Sequence, residues 1–305
     1  MSKFSMLKYA ILSFAGVAAF IGLWAMLARR KLPRLIQIAI IAAAVSLAVF
    51  VYAIFIEPNW IVVTRVSIHD PALADSLGGL KVVQVSDIHI RNELRFRERQ
   101  LISKINALQP DLLFITGDLL ENIDELNALK ELLGKVKARY GVYGVTGNTD
   151  YHRFNIDGLV KELAPTGFIF LRNEHRRIEF VNGKGLWLAG VDDPVNKRDD
   201  LPKALSGIPP GQPVLLLAHA PMIFIKAILA KVNLVLVGHT HGAQVGIPLL
   251  VKFSSYANRT IYVNGIFSEG TTKMYVNRGI GTKTLPIRLF CRPEITLFEF
   301  VASEK

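Results

Sequence analysis

At 305 residues, 51% of them hydrophobic, and with a mean hydropathy of +0.33, the chain can form one full core plus an appendage and is too apolar for a wholly soluble domain. The single cysteine, Cys291, excludes an intramolecular disulfide and a thiolate metal cluster. A formal net charge of +11 favours acidic lipid and phosphate-bearing substrates; no zinc finger, RNA-binding signature or homogeneous basic run accompanies it, so no specific nucleic acid is expected.

The apolar excess lies at the N-terminus. Residues 9–28 and 35–56 carry no charge, and each run reaches the roughly 20 residues that a helix needs to cross a bilayer. A cleaved signal peptide would show a shorter apolar stretch with no second run directly behind it, and two buried core helices are the other alternative. The pattern predicts an anchor of two transmembrane helices over 1–58 and a further folded domain over 59–305. Arg29, Arg30, Lys31 and Arg34 between the runs should stay cytoplasmic and send the domain outward, with Lys3, Lys8 and Arg65 pulling the opposite way.

Beyond the anchor, short β-rich apolar runs at 81–86, 112–116, 142–146, 186–190, 214–218 and 234–237 read as buried strands. Helical stretches at 96–108, 123–136, 156–163 and 222–229 separate several of them, an α/β pattern. The tail, 261–300, reads mainly as strands. Arg172, His175, Arg176 and Arg177 read as a solvated loop.

Five of the predicted strands stop at a group that can ligate a metal. The stops are Asp87 with His89, Asp118, Asn148 with Thr149 and Asp150, His219, and His239 with His241. Open α/β sheets gather ligands at such strand ends, and the adjacent glycines permit the tight turns that bring the groups together. Any one motif is weak, because a lone Gly-Asp is usually a turn and a lone buried His a satisfied core residue. As a set, four imidazoles, two carboxylates and an amide without sulfur suit manganese, iron(II) or zinc better than calcium.

The order and spacing of these motifs resemble the calcineurin-like metallophosphoesterase superfamily, whose pattern is D-x-H, G-D, G-N-H-D/E, H and G-H-x-H. The resemblance covers roughly 81–244, with Gly238-His239-Thr240-His241-Gly242 its most specific piece, and is strongest to the membrane-anchored bacterial branch, which implies that 59–305 is a catalytic domain carried on a plasma membrane of bacterial type. It implies a four-layer α/β/β/α sandwich and two divalent cations, manganese foremost, with iron or zinc as alternatives. It also implies that Asp87, His89 and His241 hold one cation, that Asn148, His219 and His239 hold the other, and that Asp118 bridges them. Cations about 3.5–4 Å apart need such a bridging anion and together activate a water for in-line attack on phosphorus.

The sequence departs from the family at Thr149, where most relatives place a histidine beside the leaving oxygen; threonine supplies no proton near neutral pH. Three accounts follow: His152 or Tyr151 reaches in, the substrate carries a good leaving group, or activity is lost. Asp150 is expected to orient its neighbours or to serve as a turn residue. Arg91, Arg95, Arg97 and Arg99 either clamp an anion or form a solvated helix face. The expected function is hydrolysis of a phosphodiester or pyrophosphate at the membrane, on a phosphate-containing and preferably lipid-linked substrate, with Asp118, Asn148, Asp150 and His152 as catalytic candidates. The alternative is a UDP-2,3-diacylglucosamine pyrophosphatase of lipid A synthesis, since those enzymes resemble this pattern and also lack the histidine. A catalytically silent, metal-stabilised membrane binding protein is the rival from another class.

Overall fold

The computed structural model describes residues 22, 33–151, 155–181, 183–257 and 260–302. The expected first span at 9–28, apart from residue 22, and the catalytic candidate His152 lie outside them. The chain divides into two compact units, 1–51 and 52–305.

In the first unit, helix α1 (Arg34–Val51) has no acidic residue in its first turn and no basic residue in its last. The helical run continues through a π turn at Tyr52–Ile56 and a 3-10 turn at Glu57–Asn59, where Pro58 ends it. Arg34–Asn59 is 26 residues long, and its most apolar stretch of 18 residues has a mean hydropathy of 2.7 and is almost wholly exposed, whereas Ala53, Glu57 and Pro58 near its end are buried. At about 1.5 Å per residue the run exceeds the ~30 Å of a hydrocarbon core. Among the described residues this is the one helix long and apolar enough to cross a membrane.

The second unit contains two six-stranded sheets. The first is ordered β1 (Val62–His69), β12 (Glu294–Val301), β2 (Val82–Val85), β3 (Leu112–Thr116), β4 (Val142–Val145) and β5 (Phe168–Phe170). The second is ordered β10 (Gly265–Glu269), β11 (Thr272–Val276), β9 (Leu234–Val237), β8 (Val214–Leu217), β7 (Gly185–Gly190) and β6 (Glu174–Glu179). Strands β2 to β5 are mutually parallel, as are β7, β8, β9 and β11. Ligand-bearing strands of each sheet therefore end on one edge.

Alternation along the strands builds the layers, since successive side chains point to opposite faces. Leu112 and Phe114 of β3 join Leu215 and Leu217 of β8 and Leu234 and Leu236 of β9 in a core between the sheets. Leu113 and Ile115 face outward onto a core shared with α3 (Phe96–Leu108), α4 (Leu126–Lys135) and α5 (Ile156–Leu163), reached through Leu101, Leu129 and Leu159. On the far face of the second sheet, Leu216, Val235 and Val237 pack with Phe224 and Ala227 of α7 (Phe224–Leu229) and Leu201 of α6 (Leu201–Leu205). The result is an α/β/β/α sandwich, completed by α2 (Pro71–Leu77) and α8 (Pro248–Ala257). Polar ties cross the interior: Gln84 on β2 donates to Thr116 Oγ1 and to Val237 O of the opposite sheet, both at 3.0 Å, and the Tyr275 hydroxyl on β11 donates to Glu294 Oε1 on β12, also at 3.0 Å.

Two expectations need correction. Residues 174–179 are not a solvated loop but edge strand β6, with His175 bonded to Ala204 O (2.9 Å) and its ring 5.3 Å from that of Trp187. Alternating exposed charges obscured a strand that buries one face only at Ile178. The tail is strand only at β10, β11 and β12, and residues 277–293 form a long loop between the last two. Buried Arg288 holds that loop, donating to the carbonyls of Gly281 (2.6 Å), Arg278 (2.9 Å), Cys291 (3.0 Å) and Gly279 (3.1 Å). Burial pushes its pKa down to about 10, so it remains a cation at neutral pH.

Arg288→Met should lower stability by about 3 kcal/mol or more, because each buried carbonyl left without a donor costs about 1–3 kcal/mol. Urea unfolding followed by tryptophan fluorescence checks this; an unchanged midpoint would show that the loop stands without its guanidinium.

Candidate metal centre

Every ligating group expected from the sequence lies at the C-terminal end of a parallel strand: Asp87 and His89 after β2, Asp118 after β3, Asn148 after β4, His219 after β8, and His239 and His241 after β9. Five of these seven residues have left-handed backbones, with φ of 49° at Asp87, 42° at His89, 51° at Asp118, 71° at His239 and 52° at His241. A non-glycine residue there costs about 1–2 kcal/mol, and such strain persists only where surrounding structure imposes it. Here the loops brace one another: Asp87 N donates to Gly117 O (3.1 Å), His89 N to Asp118 O (3.1 Å) and Gly281 N to Asp87 O (2.7 Å).

Two glycines permit the close approach. A Cβ on Gly147 would stand 2.2 Å from Asp118 Oδ1, and one on Gly238 would stand 1.8 Å from Ser86 Oγ and 2.3 Å from Asp87 Oδ2. Ser86 Oγ and His239 N both donate to Asp87 Oδ2 (2.6 and 2.9 Å), leaving Oδ1 as the free oxygen.

The donor atoms fall into two groups that share Asp118. In the first, His241 Nε2 is 3.3 Å from Asp87 Oδ1 and 3.2 Å from His89 Nε2, and His89 Nε2 is 3.5 Å from Asp118 Oδ2. One ligand atom from each of Asp87, His89, Asp118 and His241 lies within 4.8 Å of the others. In the second, His219 Nε2 is 3.4 Å from Asp118 Oδ1, 3.2 Å from Asn148 Oδ1 and 3.2 Å from His239 Nδ1. The two carboxylate oxygens of Asp118 thus serve opposite sides, Oδ2 toward the first group and Oδ1 toward the second.

These groups fit cations. Asp87 Oδ1 and Asp118 Oδ2 are buried without a hydrogen-bond partner, an arrangement that costs several kcal/mol per group unless a cation compensates it. Imidazole nitrogens face each other within both groups, and their outer nitrogens are occupied in two cases: His219 Nδ1 bonds Thr116 O (2.8 Å) and His89 Nδ1 meets Glu121 Oε1 (2.7 Å). The bond to Thr116 puts the proton of His219 on Nδ1 and leaves its Nε2 lone pair for ligation. Asn148 supplies a further sign. Hydrogen bonding alone would turn its amide over, so that nitrogen donates to His219 and His239 while oxygen accepts from Thr149 N and Lys283 Nζ. A cation reverses that preference, because only the amide oxygen coordinates.

The electrostatics agree. Despite burial, the imidazoles of His219 and His89 hold Asp118 well below the usual carboxylate range. Against the burial that opposes its charge, His219 is pushed up to about 10 by Asp118, whereas burial and the charge on His219 push His239 down to about 3.

Around the ligands, the structure sorts the remaining candidates. Asp150, grouped with the catalytic candidates, spends its oxygens on Gly147 N (2.8 Å), Leu119 N (2.9 Å) and Asp118 N (3.1 Å). It clamps the two loops and does not face the ligand atoms. Tyr151 does not reach in: its hydroxyl is bound by Asp192 at 2.6 Å, and burial together with Asp192 pushes its pKa up to about 12. Thr149 contributes its backbone N–H to Asp118 Oδ1 (2.9 Å). Arg97 pairs with Glu98 (2.8 Å) and Arg99 bonds Leu94 O (2.9 Å), whereas Arg91 and Arg95 line a cavity of about 490 Å³ beside His89. Arg172 bonds Asp157, Asp192 and Tyr151.

Two residues escaped the sequence reading. Glu121 follows Asp118 by three positions and carried no motif of its own. Lys283 comes from the 277–293 loop, and its Nζ stands 3.1 Å from the amide of Asn148; a cavity of about 380 Å³ there is lined by His239, His241, Gln244, Lys283 and Leu285.

Comparison with known proteins bears on the whole arrangement. The family profile of the calcineurin-like phosphoesterases matches residues 80–243. The chain is 32% identical over 251 residues to the uncharacterized metallophosphoesterase YkuE of Bacillus subtilis, covering 81% of this chain and 88% of that protein. It is 33% identical over 247 residues to the transmembrane protein with metallophosphoesterase domain of Danio rerio, covering 77% of this chain, and 33% identical over 258 residues to that of Bos taurus, covering 79%. The chain spans 56% of the length of each of these two vertebrate relatives. With its strand-end ligands, its two-sheet sandwich and this match over more than half its length, the chain belongs to the calcineurin-like metallophosphoesterase family.

Proposed function

We propose that the chain hydrolyses a phosphodiester or phosphoanhydride at a centre of two divalent cations, held by Asp87, His89, Asp118 and His241 on one side and by Asp118, Asn148, His219 and His239 on the other. The observation that carries this reading is the division of Asp118, with each buried oxygen set against its own group of nitrogen and oxygen donors. When bound, such a cation pair supplies charge to the phosphoryl oxygens and acidifies a water for in-line attack. The donor set, oxygen and nitrogen without sulfur, favours manganese, with iron and zinc as alternatives.

The protein's own groups complete the site. Asp150 fixes the backbone that presents Asp118, and Glu121 and Thr116 fix the rings of His89 and His219. Lys283 takes the place of the charge that Thr149 lacks: with the oxygen of Asn148 turned to the cation, the ammonium has an amide nitrogen beside it and is free to receive a phosphoryl oxygen. A substrate with a good leaving group, an aryl ester or a pyrophosphate, suits a site in which Tyr151 is tied to Asp192. The Arg91 and Arg95 cavity supports a second anionic group and hence the anhydride reading, of which UDP-2,3-diacylglucosamine hydrolysis is one form. The apolar helix and the relatives named as transmembrane proteins support action at a membrane. A silent binding protein is disfavoured, since every ligand position holds a competent donor.

The full chain in detergent should hydrolyse bis-p-nitrophenyl phosphate only with divalent metal added. Asp118→Asn should lower metal stoichiometry and cut turnover by about two orders of magnitude or more, while His175→Ala, whose ring lies against Trp187, keeps both. Near-normal manganese-dependent turnover in Asp118→Asn would overturn the two-cation reading.

Lys283→Met should lower kcat/KM by about tenfold to a hundredfold, the worth of a charged hydrogen bond to the phosphoryl group, with metal stoichiometry unchanged and Lys283→Arg retaining part of the rate. Equal kinetics in Lys283→Met and the wild type would remove Lys283 from the site.

A further inference from the structure

The chain that follows α1 is fastened along the loop that walls the metal centre. Ala53 O accepts from Arg288 N (2.9 Å), and the buried Glu57 carboxylate accepts from Phe290 N (2.9 Å) and Cys291 N (2.5 Å). Trp60 lies under the Arg292 guanidinium, 3.7 Å from ring centroid to Cζ, and Val62 N donates to Pro293 O (2.9 Å). On its other side the same loop pairs with the chain just past the ligand His241: Leu289 N donates to Gln244 O (2.9 Å) and Gly246 N to Leu289 O (2.7 Å). Three strips, 53–62, 285–293 and 244–250, therefore run side by side.

Each strip turns large apolar side chains to solvent. Phe55 is 65% exposed on the first, Leu285 58% and Phe290 73% on the second, and Leu249 72% on the third, with Trp60 and Leu250 also exposed. A contiguous apolar surface of this kind marks an interaction site. Its chemistry is that of a bilayer boundary: an exposed tryptophan capped by arginine sits at its edge, and Lys252 is exposed beside Leu250. Continuity with the apolar helix, which runs to Asn59, selects the occupant. A chain leaving a bilayer at Asn59 carries Trp60, and with it the bonded loop 288–293, at headgroup depth, where apolar side chains reach about 5–10 Å into the boundary.

We propose that Phe55, Trp60, Leu249, Leu250, Leu285 and Phe290 form a membrane-seated rim, and that the adjoining metal centre takes phosphoesters of lipids from the same leaflet. Leu285 belongs both to the rim and to the 380 Å³ cavity beside His239, His241 and Lys283, so a headgroup phosphate reaches the centre while its acyl chains stay in the bilayer. The lipid-substrate half rests on the hydrolase reading above; the rim does not.

The test uses the full chain in vesicles of phosphatidylcholine and phosphatidylglycerol. Cys291 is the one cysteine and is buried, so Leu249→Cys and Leu285→Cys each admit one exposed fluorophore, with the wild type as labelling blank. Headgroup-proximal doxyl lipids should quench both labels at least about threefold more than a label at Leu229→Cys, an exposed position on α7. Quenching equal to that at Leu229, or rim labels shielded without lipid quenching as a protein contact would shield them, overturns the rim. In a second measurement, Leu249→Ser combined with Leu250→Ser should hydrolyse a vesicle-borne phosphatidyl p-nitrophenol about tenfold more slowly while soluble bis-p-nitrophenyl phosphate turns over as before. Equal loss on both substrates overturns the lipid half. Absence of turnover on either substrate in the wild type would remove the hydrolase reading and leave the quenching to decide the rim.

Discussion

The structure depends on bringing the buried carboxylate of Asp118 within reach of both donor groups at once. A lone carboxylate at zero exposure is unfavourable, and so are the facing imidazoles around it. Each becomes favourable only with its opposites close by, which forces five ligand residues into left-handed backbones and admits no side chain at Gly147 or Gly238. Asp150 offsets part of that strain by accepting from three backbone N–H groups on two loops. Its negative charge beside Asp118 carries a cost of its own: burial and Asp118 push its pKa up to about 7.

The sandwich supplies the rigidity this requires. Parallel strands in both sheets end on the same edge, and the apolar interior between them fixes their separation through side chains such as Phe114, Leu217 and Leu236. Gln84 closes the interior near the site, joining β2 to Thr116 of its own sheet and Val237 of the other, one residue before Gly238. Interiors of this density transmit small displacements, so a shift in either sheet would be felt as a change in ligand distance.

The loop at 277–293 links the ligand cluster to the segment that precedes β1. Its near end supports Asp87 through Gly281 and presents Lys283, its middle is held by Arg288, and its far end is bound by Glu57 and Ala53. Buried Glu57, though it follows a run of apolar residues, belongs to the second unit, where two backbone donors satisfy its carboxylate. One loop thereby carries both the Lys283 ammonium beside Asn148 and the bonds to Ala53 and Glu57.

Much of this was legible in the residues themselves. Strands with alternating or continuous apolar character, such as 112–116 and 234–237, announce their own burial, and polar ligands placed directly after them mark the catalytic edge. The ligand set is local in pattern, with each donor two to four residues beyond a strand. The charged strand β6 and the loop at 277–293 were not legible, because β6 draws its pairing from β7 and the loop its support from Arg288 and Glu57. Glu121, Lys283 and the commitment of Tyr151 to Asp192 were equally hidden. Strand periodicity is a property of neighbouring residues, whereas the direction of Asp118's two oxygens and the approach of Lys283 across more than a hundred positions exist only once both sheets have packed.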